Sequence, residues 1–195
     1  MGMLKPAFGI VAVFLAATAY GSYIYKVFKH EVRPHFFTWL VWAVVTIIIC
    51  VAQILKGAGA GSWVIIFTSA CCLGIAFLAL IKGDRNYTRG DWIALSIALG
   101  TIPLWLITHD PFYSVAVLTL IDAVGFIPTF RKAYQKPREE SWVSFALVVF
   151  QNIFLLFALS SYNSVTLTYP LAVLIMDSSF VIMLLWRRRN DLSPR

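Results

Sequence analysis

Charge is scarce in this chain: Asp, Glu, Lys and Arg together make up 13% of its 195 residues. Soluble domains carry about 25%, so a water-soluble globular protein is excluded. Cysteine is rare as well. Cys50, Cys71 and Cys72 are odd in number, lie in apolar runs and show neither CxxC nor Cys/His spacing. That excludes a disulfide framework or a zinc site and leaves packing as their role. The glycine cluster GAGAGSW at 57–63 lacks the Lys-Ser/Thr of a phosphate loop, so it reads as a close helix approach or a turn. His30, Glu31 and His35 miss the zinc-protease spacing by one residue and read as solvated loop residues. No cofactor and no metal are expected.

What the chain does have is apolar length. It is 60% hydrophobic, with a mean hydropathy of +0.80. A helix crossing a hydrocarbon core of about 30 Å needs about 20 apolar residues, because every backbone amide must be satisfied internally there. Uncharged windows of 20, 20 and 25 residues lie at 6–25, 36–55 and 57–81. A fourth covers 92–108, and a fifth, 111–130, is broken only by Asp122. The 46 residues from Ser141 to Trp186 hold one charge, Asp177, and must form two helices with SSYNS at 160–164 as the turn. The small-residue run AATA at 16–19 imitates a signal-peptide cleavage site, but the repeat described below makes the first window a helix of the fold.

Seven spans with the N-terminus outside place 26–33, 82–89, 131–138 and 187–195 in the cytoplasm, and these segments hold fourteen of the sixteen Lys and Arg. Cytoplasmic loops accumulate these residues, so the net charge of +7 is a topology signal and implies no nucleic-acid partner. The partners expected are a small-molecule substrate and the lipid bilayer.

The chain also repeats itself. Pro34, Thr38 and Trp39 recur as Pro137, Ser141 and Trp142 at an offset of 103, and Gly21 recurs as Gly125 at 104. An odd number of helices separates the copies' last and first helices, so both copies run the same way. The plan is all-α: a first triple-helix bundle at 1–82, a linker helix at 83–110 and a second triple-helix bundle at 111–195 with a short basic tail. Repeats of this kind place a substrate path at their interface near the bilayer midplane. Two bundles in one chain suffice to enclose such a path, with a homo-oligomer left open.

Gly125, Pro128, the basic run 131–136 and Ser141 resemble the PQ-loop motif of the SWEET, PQ-loop and KDEL-receptor superfamily. That family has seven helices in parallel triple bundles and an outside N-terminus. Thr129 stands where it carries Gln, and Tyr23-Ile24 where the first copy would carry Pro-Gln. The resemblance implies alternating-access transport, with an aromatic residue of the second helix, here Trp42, touching the solute. TWLVW at 38–42 and GAGAGSWV at 57–64 are also similar to small bacterial membrane proteins, which implies a bacterial inner membrane.

Several residues stand out as carriers of chemistry. Asp122 and Asp177 fall near the middles of the fifth and seventh spans, where a carboxylate costs about 2.5–3.5 kcal/mol on insertion scales. They should face the protein interior, and an acid there can exchange protons with whichever side a cavity opens to. Pro128 lacks an amide proton and leaves the Val124 carbonyl without its helical partner, beside the side-chain-free Gly125, so the fifth helix can bend there. Asp122, Phe126 and Thr129 share one face of it. Pro170 does the same to Thr166 in the seventh helix. Gln151 and Asn152 are adjacent, so at least one amide must point inward, and Gln53 adds a third near the outer end of the second helix. Trp39 and Trp142 read as interface anchors, whereas Trp42, a turn deeper, suits a cavity wall.

The function expected is transport of a small polar solute, with Asp122 and Asp177 coupling protons or binding the solute together with Gln151, Asn152, Trp42 and Gln53. Gly125, Pro128 and Pro170 are the expected hinges. A receptor of the same architecture would need buried basic residues for a peptide carboxylate, and no Lys or Arg lies within a span. An intramembrane aspartyl protease would need YD and GxGD surroundings, but Asp122 follows Ile121 and Asp177 follows Met176. An enzyme is not expected.

Overall fold

The computed structural model describes residues 4–30, 34–83, 89–135, 137 and 142–190, without the side chains of Pro128 and Lys132. The expected contributions of Glu31 and Ser141 lie outside the described residues. Among the described residues there are seven α-helices and no β-strand: α1 Leu4–Phe28, α2 Phe36–Leu55, α3 Ser62–Lys82, α4 Arg89–Thr108, α5 Pro111–Gln135, α6 Trp142–Ala158 and α7 Ser164–Asn190. Six are long and apolar enough to cross a membrane. The seventh, α6, has 17 described residues, about 25 Å at the helical rise of about 1.5 Å per residue.

The helix ends follow local chemistry. His35 caps α2, its Nδ1 accepting from the Thr38 amide at 3.4 Å. Asn163 caps α7, its Oδ1 accepting from Val165 and Thr166 amides, each at 3.1 Å. Asp110 Oδ1 accepts from the Phe112 amide at 3.0 Å, with Pro111 at the first helical position, where its missing N–H costs nothing. Short connections make consecutive helices run antiparallel. One end of the molecule thus gathers the start of α1 and the α2–α3, α4–α5 and α6–α7 turns. The opposite end gathers the remaining connections and the end of α7, where Arg187 and Arg188 Nε donate to the Tyr134 and Pro137 carbonyls at 3.1 and 2.9 Å.

Helix α3 packs against both α1 and α2, and α7 against both α5 and α6. Across the molecule α1 lies along α6, while α2 contacts α5 and α7, with α4 beside both α2 and α5. Small residues govern the buried face of α1: Ala12 and Ala16 pack with Leu155 of α6, and Gly9 lies against Ala60 and Trp63. A stripe of small residues lets backbones approach closely in lipid. Buried hydroxyls are satisfied within their own helices, as Thr46 donates to the Trp42 carbonyl at 2.7 Å and Ser69 to Ile65 at 2.7 Å. Ser114 instead bridges helices, donating to the Thr101 carbonyl of α4 at 2.7 Å.

The α2–α3 and α6–α7 turns lock together. The Ser160 amide donates to the Ala58 carbonyl at 2.9 Å, and Asn163 Nδ2 to the Lys56 carbonyl at 3.1 Å. Glycine is required for this contact. Gly59 has φ +60°, in the left-handed region, and a Cβ on Gly61 would lie 2.5 Å from Leu159 Cδ2 and 3.0 Å from Leu159 Cα. The cluster at 57–63 is therefore a close approach between the two halves of the chain.

Candidate functional site

A cavity of about 380 Å³ lies between the halves, bounded by α1, α2, α3, α6 and α7. It runs from Gln53 and Val64, beside the locked turns, to Tyr23, Trp39 and Phe145, toward the opposite end. Its wall is aromatic and amide-bearing, and no charged side chain lines it.

The aromatic part is built around Trp39. Its ring lies 4.8 Å from Tyr23, 5.1 Å from Trp42 at 89°, and 6.3 Å from Tyr20 at 67°, and its Nε1 donates to Tyr23 Oη at 3.3 Å. Edge-to-face rings of this kind hold one another in fixed orientations. Only 7% of Trp39 is exposed, so the expectation of an interface anchor is overturned: aromatic partners on α1 and α2 draw it into the core. Trp142, at 39% exposure, stays on the outside. Trp42 lines the cavity.

The polar part comes from three amides. Gln53, Gln151 and Asn152 are all buried and all line the cavity. Asn152 Nδ2 turns back to the Val148 carbonyl of its own helix at 2.9 Å. Gln53 is different: it is fully buried, and neither its Nε2 nor its Oε1 has a hydrogen-bond partner among the described residues. Leaving such atoms unsatisfied costs about 1–3 kcal/mol each, so their position demands an explanation in function.

The two aspartates sit behind this wall rather than on it. Tyr169, a lining residue, donates its hydroxyl to Asp122 Oδ2 at 3.4 Å. Asp177 is buried at 7% exposure on α7 and interacts electrostatically with Asp122. Asp122 thus reaches the cavity through Tyr169. Its fellow on the shared face, Phe126, packs elsewhere, against Phe130, Phe145 and Phe180 at 6.4, 5.9 and 5.3 Å.

Of the three expected bend positions, Pro170 is buried within α7 and Gly125 is exposed, with nothing within 4 Å of where a Cβ would stand. Pro128 lies in α5, which continues unbroken from Pro111 to Gln135; its side chain is outside the description. None of the three lines the cavity. Among the described residues no group of three His, Cys, Asp or Glu is placed to hold a metal.

Sequence reasoning missed Tyr20, Tyr23, Thr68 and Tyr169 as wall residues. The available signal was tyrosine in the middle of an apolar helix, since a buried phenol needs a partner. Tyr169 directly precedes Pro170 and stands eight residues before Asp177, which marked it as a residue of the same helix segment. Comparisons with family models, curated proteins and solved structures return no match.

Proposed function

We propose that this protein is a transporter of a small polar solute that works by alternating access between two triple-helix bundles, α1–α3 and α5–α7, with α4 as the linker. The observation that carries this reading is the cavity between the halves, walled by amides and aromatic rings. The shared neighbour pattern supports the bundles: the third helix of each triple lies against its first and second, and α1 meets α6 as α2 meets α5. The locked turns at 56–61 and 159–163 close the cavity on the side we assign to the outside, by the basic bias of the other end. Solute would then pass between the cavity and the outside by parting these turns. In this reading Asp122 and Asp177 couple the cycle to protons, because Asp122 is hydrogen-bonded to Tyr169, a wall residue that a solute would displace.

The test is flux. Purified protein in liposomes carrying an internal pH-sensitive dye is expected to change lumenal pH when the transported solute is added. Asp122→Asn should abolish the pH signal while leaving a folded protein. Unchanged proton movement in both Asp122→Asn and Asp177→Asn would remove the acids from the mechanism. An epitope fused after Arg195 should be reached only from the cytoplasm, and labelling from outside would reverse the orientation.

A further inference from the structure

We infer that the central cavity selects a small flat solute that presents an uncharged carboxamide or lactam edge, and that Gln53 is the residue that recognises this edge. The inference rests on reading the cavity as the solute site and deepens that reading by naming the solute's chemistry.

Gln53 carries an NH2 donor and a carbonyl acceptor side by side in one plane. Gln53 is a lining residue of the cavity, both of its amide atoms are buried, and neither is partnered among the described residues. The group that satisfies both at once is another donor–acceptor edge, as when a Gln side chain pairs with the amide-like edge of a base. Gln151 offers a second amide across the cavity from α6.

The rest of the wall narrows the class further. Trp39 and Trp42 adjoin at 89°, and Tyr20, Tyr23 and Tyr169 complete an aromatic lining suited to the faces and edges of a flat ring. A volume of about 380 Å³ is near the small end of the range for ligand pockets, about 300–1,000 Å³, which suits a single ring. Anionic solutes are disfavoured because no Lys, Arg or His lines the cavity and Asp122 lies just behind it. A cation would engage the rings but leave the Gln53 NH2 without an acceptor.

A series on one ring separates these possibilities. Benzamide, benzoate and benzylammonium share size and shape and differ only in the head group, and a hexose adds an uncharged, non-planar, hydroxyl-rich comparison. Binding is measured by calorimetry on the full-length purified protein in detergent, apart from any transport assay. Benzamide is expected to bind tightest, and Gln53→Leu to weaken it about ten- to a hundred-fold, with Gln53→Asn intermediate. Tighter binding of benzoate, benzylammonium or hexose overturns the inference, as does an unchanged benzamide affinity in Gln53→Leu. Should Gln53→Leu fail to fold, the ligand series on the native protein decides the question, with Gln53→Met as the second variant. Benzamide binding without flux of any solute would sink the transporter reading and leave this one standing. Hexose flux without benzamide binding would do the reverse.

Discussion

Trp39 and Trp142 occupy the same place in the two copies of the repeat, yet one is 7% exposed and the other 39%. In the first copy the indole turns inward onto Tyr20, Tyr23 and Trp42. In the second copy the inward place near that level is taken by Phe145, which lines the cavity. The acids divide the opposite way. The offset of 103 carries Asp122 onto Ala19 and Asp177 onto Gly74, so the first half has no acid in any of its helices. The helices of the two halves thus keep a similar pattern of neighbours, while the chemistry of the two halves differs. The first supplies most of the aromatic wall and the unpartnered amide of Gln53; the second supplies the carboxyl groups and Tyr169.

The strongest way to break this contrast is to truncate both tryptophans. Trp39→Ala should destabilise the protein by about 3–5 kcal/mol, the range for a buried aromatic, whereas Trp142→Ala should cost under about 1 kcal/mol. Equal losses in reversible unfolding from mixed micelles would mean that the halves use the position alike. Next in size is the locked turn. Gly61→Leu must displace Leu159, and overpacking of this kind costs about 1–3 kcal/mol. A matched pair of cysteines at Ala58 and Ser160 should crosslink in the native protein, and Gly61→Leu should slow that crosslinking.

Smaller effects sharpen the division of labour. Gln53→Leu should raise stability by about 1 kcal/mol, because an apolar side chain removes two unsatisfied buried atoms, even as solute affinity falls. A stability loss would instead make Gln53 a structural link between helices. Tyr169→Phe should cost at most about 1 kcal/mol, since its bond to Asp122 is long at 3.4 Å. Its clearer readout is proton coupling, which should weaken in the liposome assay while solute binding persists.

Much of the architecture was legible in the residues before any coordinates. Each charge-free window became a helix, because crossing a membrane is a local requirement written in hydropathy and length. The break at 160–163 separates α6 from α7, and Asn163 there supplies the cap that starts the next helix. The glycine cluster was correctly sought at a close approach, although the partner, Leu159 and Ser160 of the other half, lies a hundred residues away. Gln53, Gln151 and Asn152 were legible as inward candidates because an amide is costly against lipid, and Trp42 was legible as a wall candidate by its depth.

What the sequence determined by itself was therefore the set of spans, their alternation and the list of residues too polar to face hydrocarbon. Only the tertiary structure decided which of those residues meet. A helix apolar on every side carries no amphipathic stripe to say which face turns inward, so the inward turn of Trp39 and the place of Tyr20 and Tyr169 in the wall had no local signature. Packing chose those faces: Ala12 and Ala16 set α1 close along α6 and Gly9 sets it against Ala60 and Trp63, and the cavity lies among the larger rings of α1, α2 and α7. Gln53 was left lining that cavity, with both atoms of its amide buried and without a partner among the described residues.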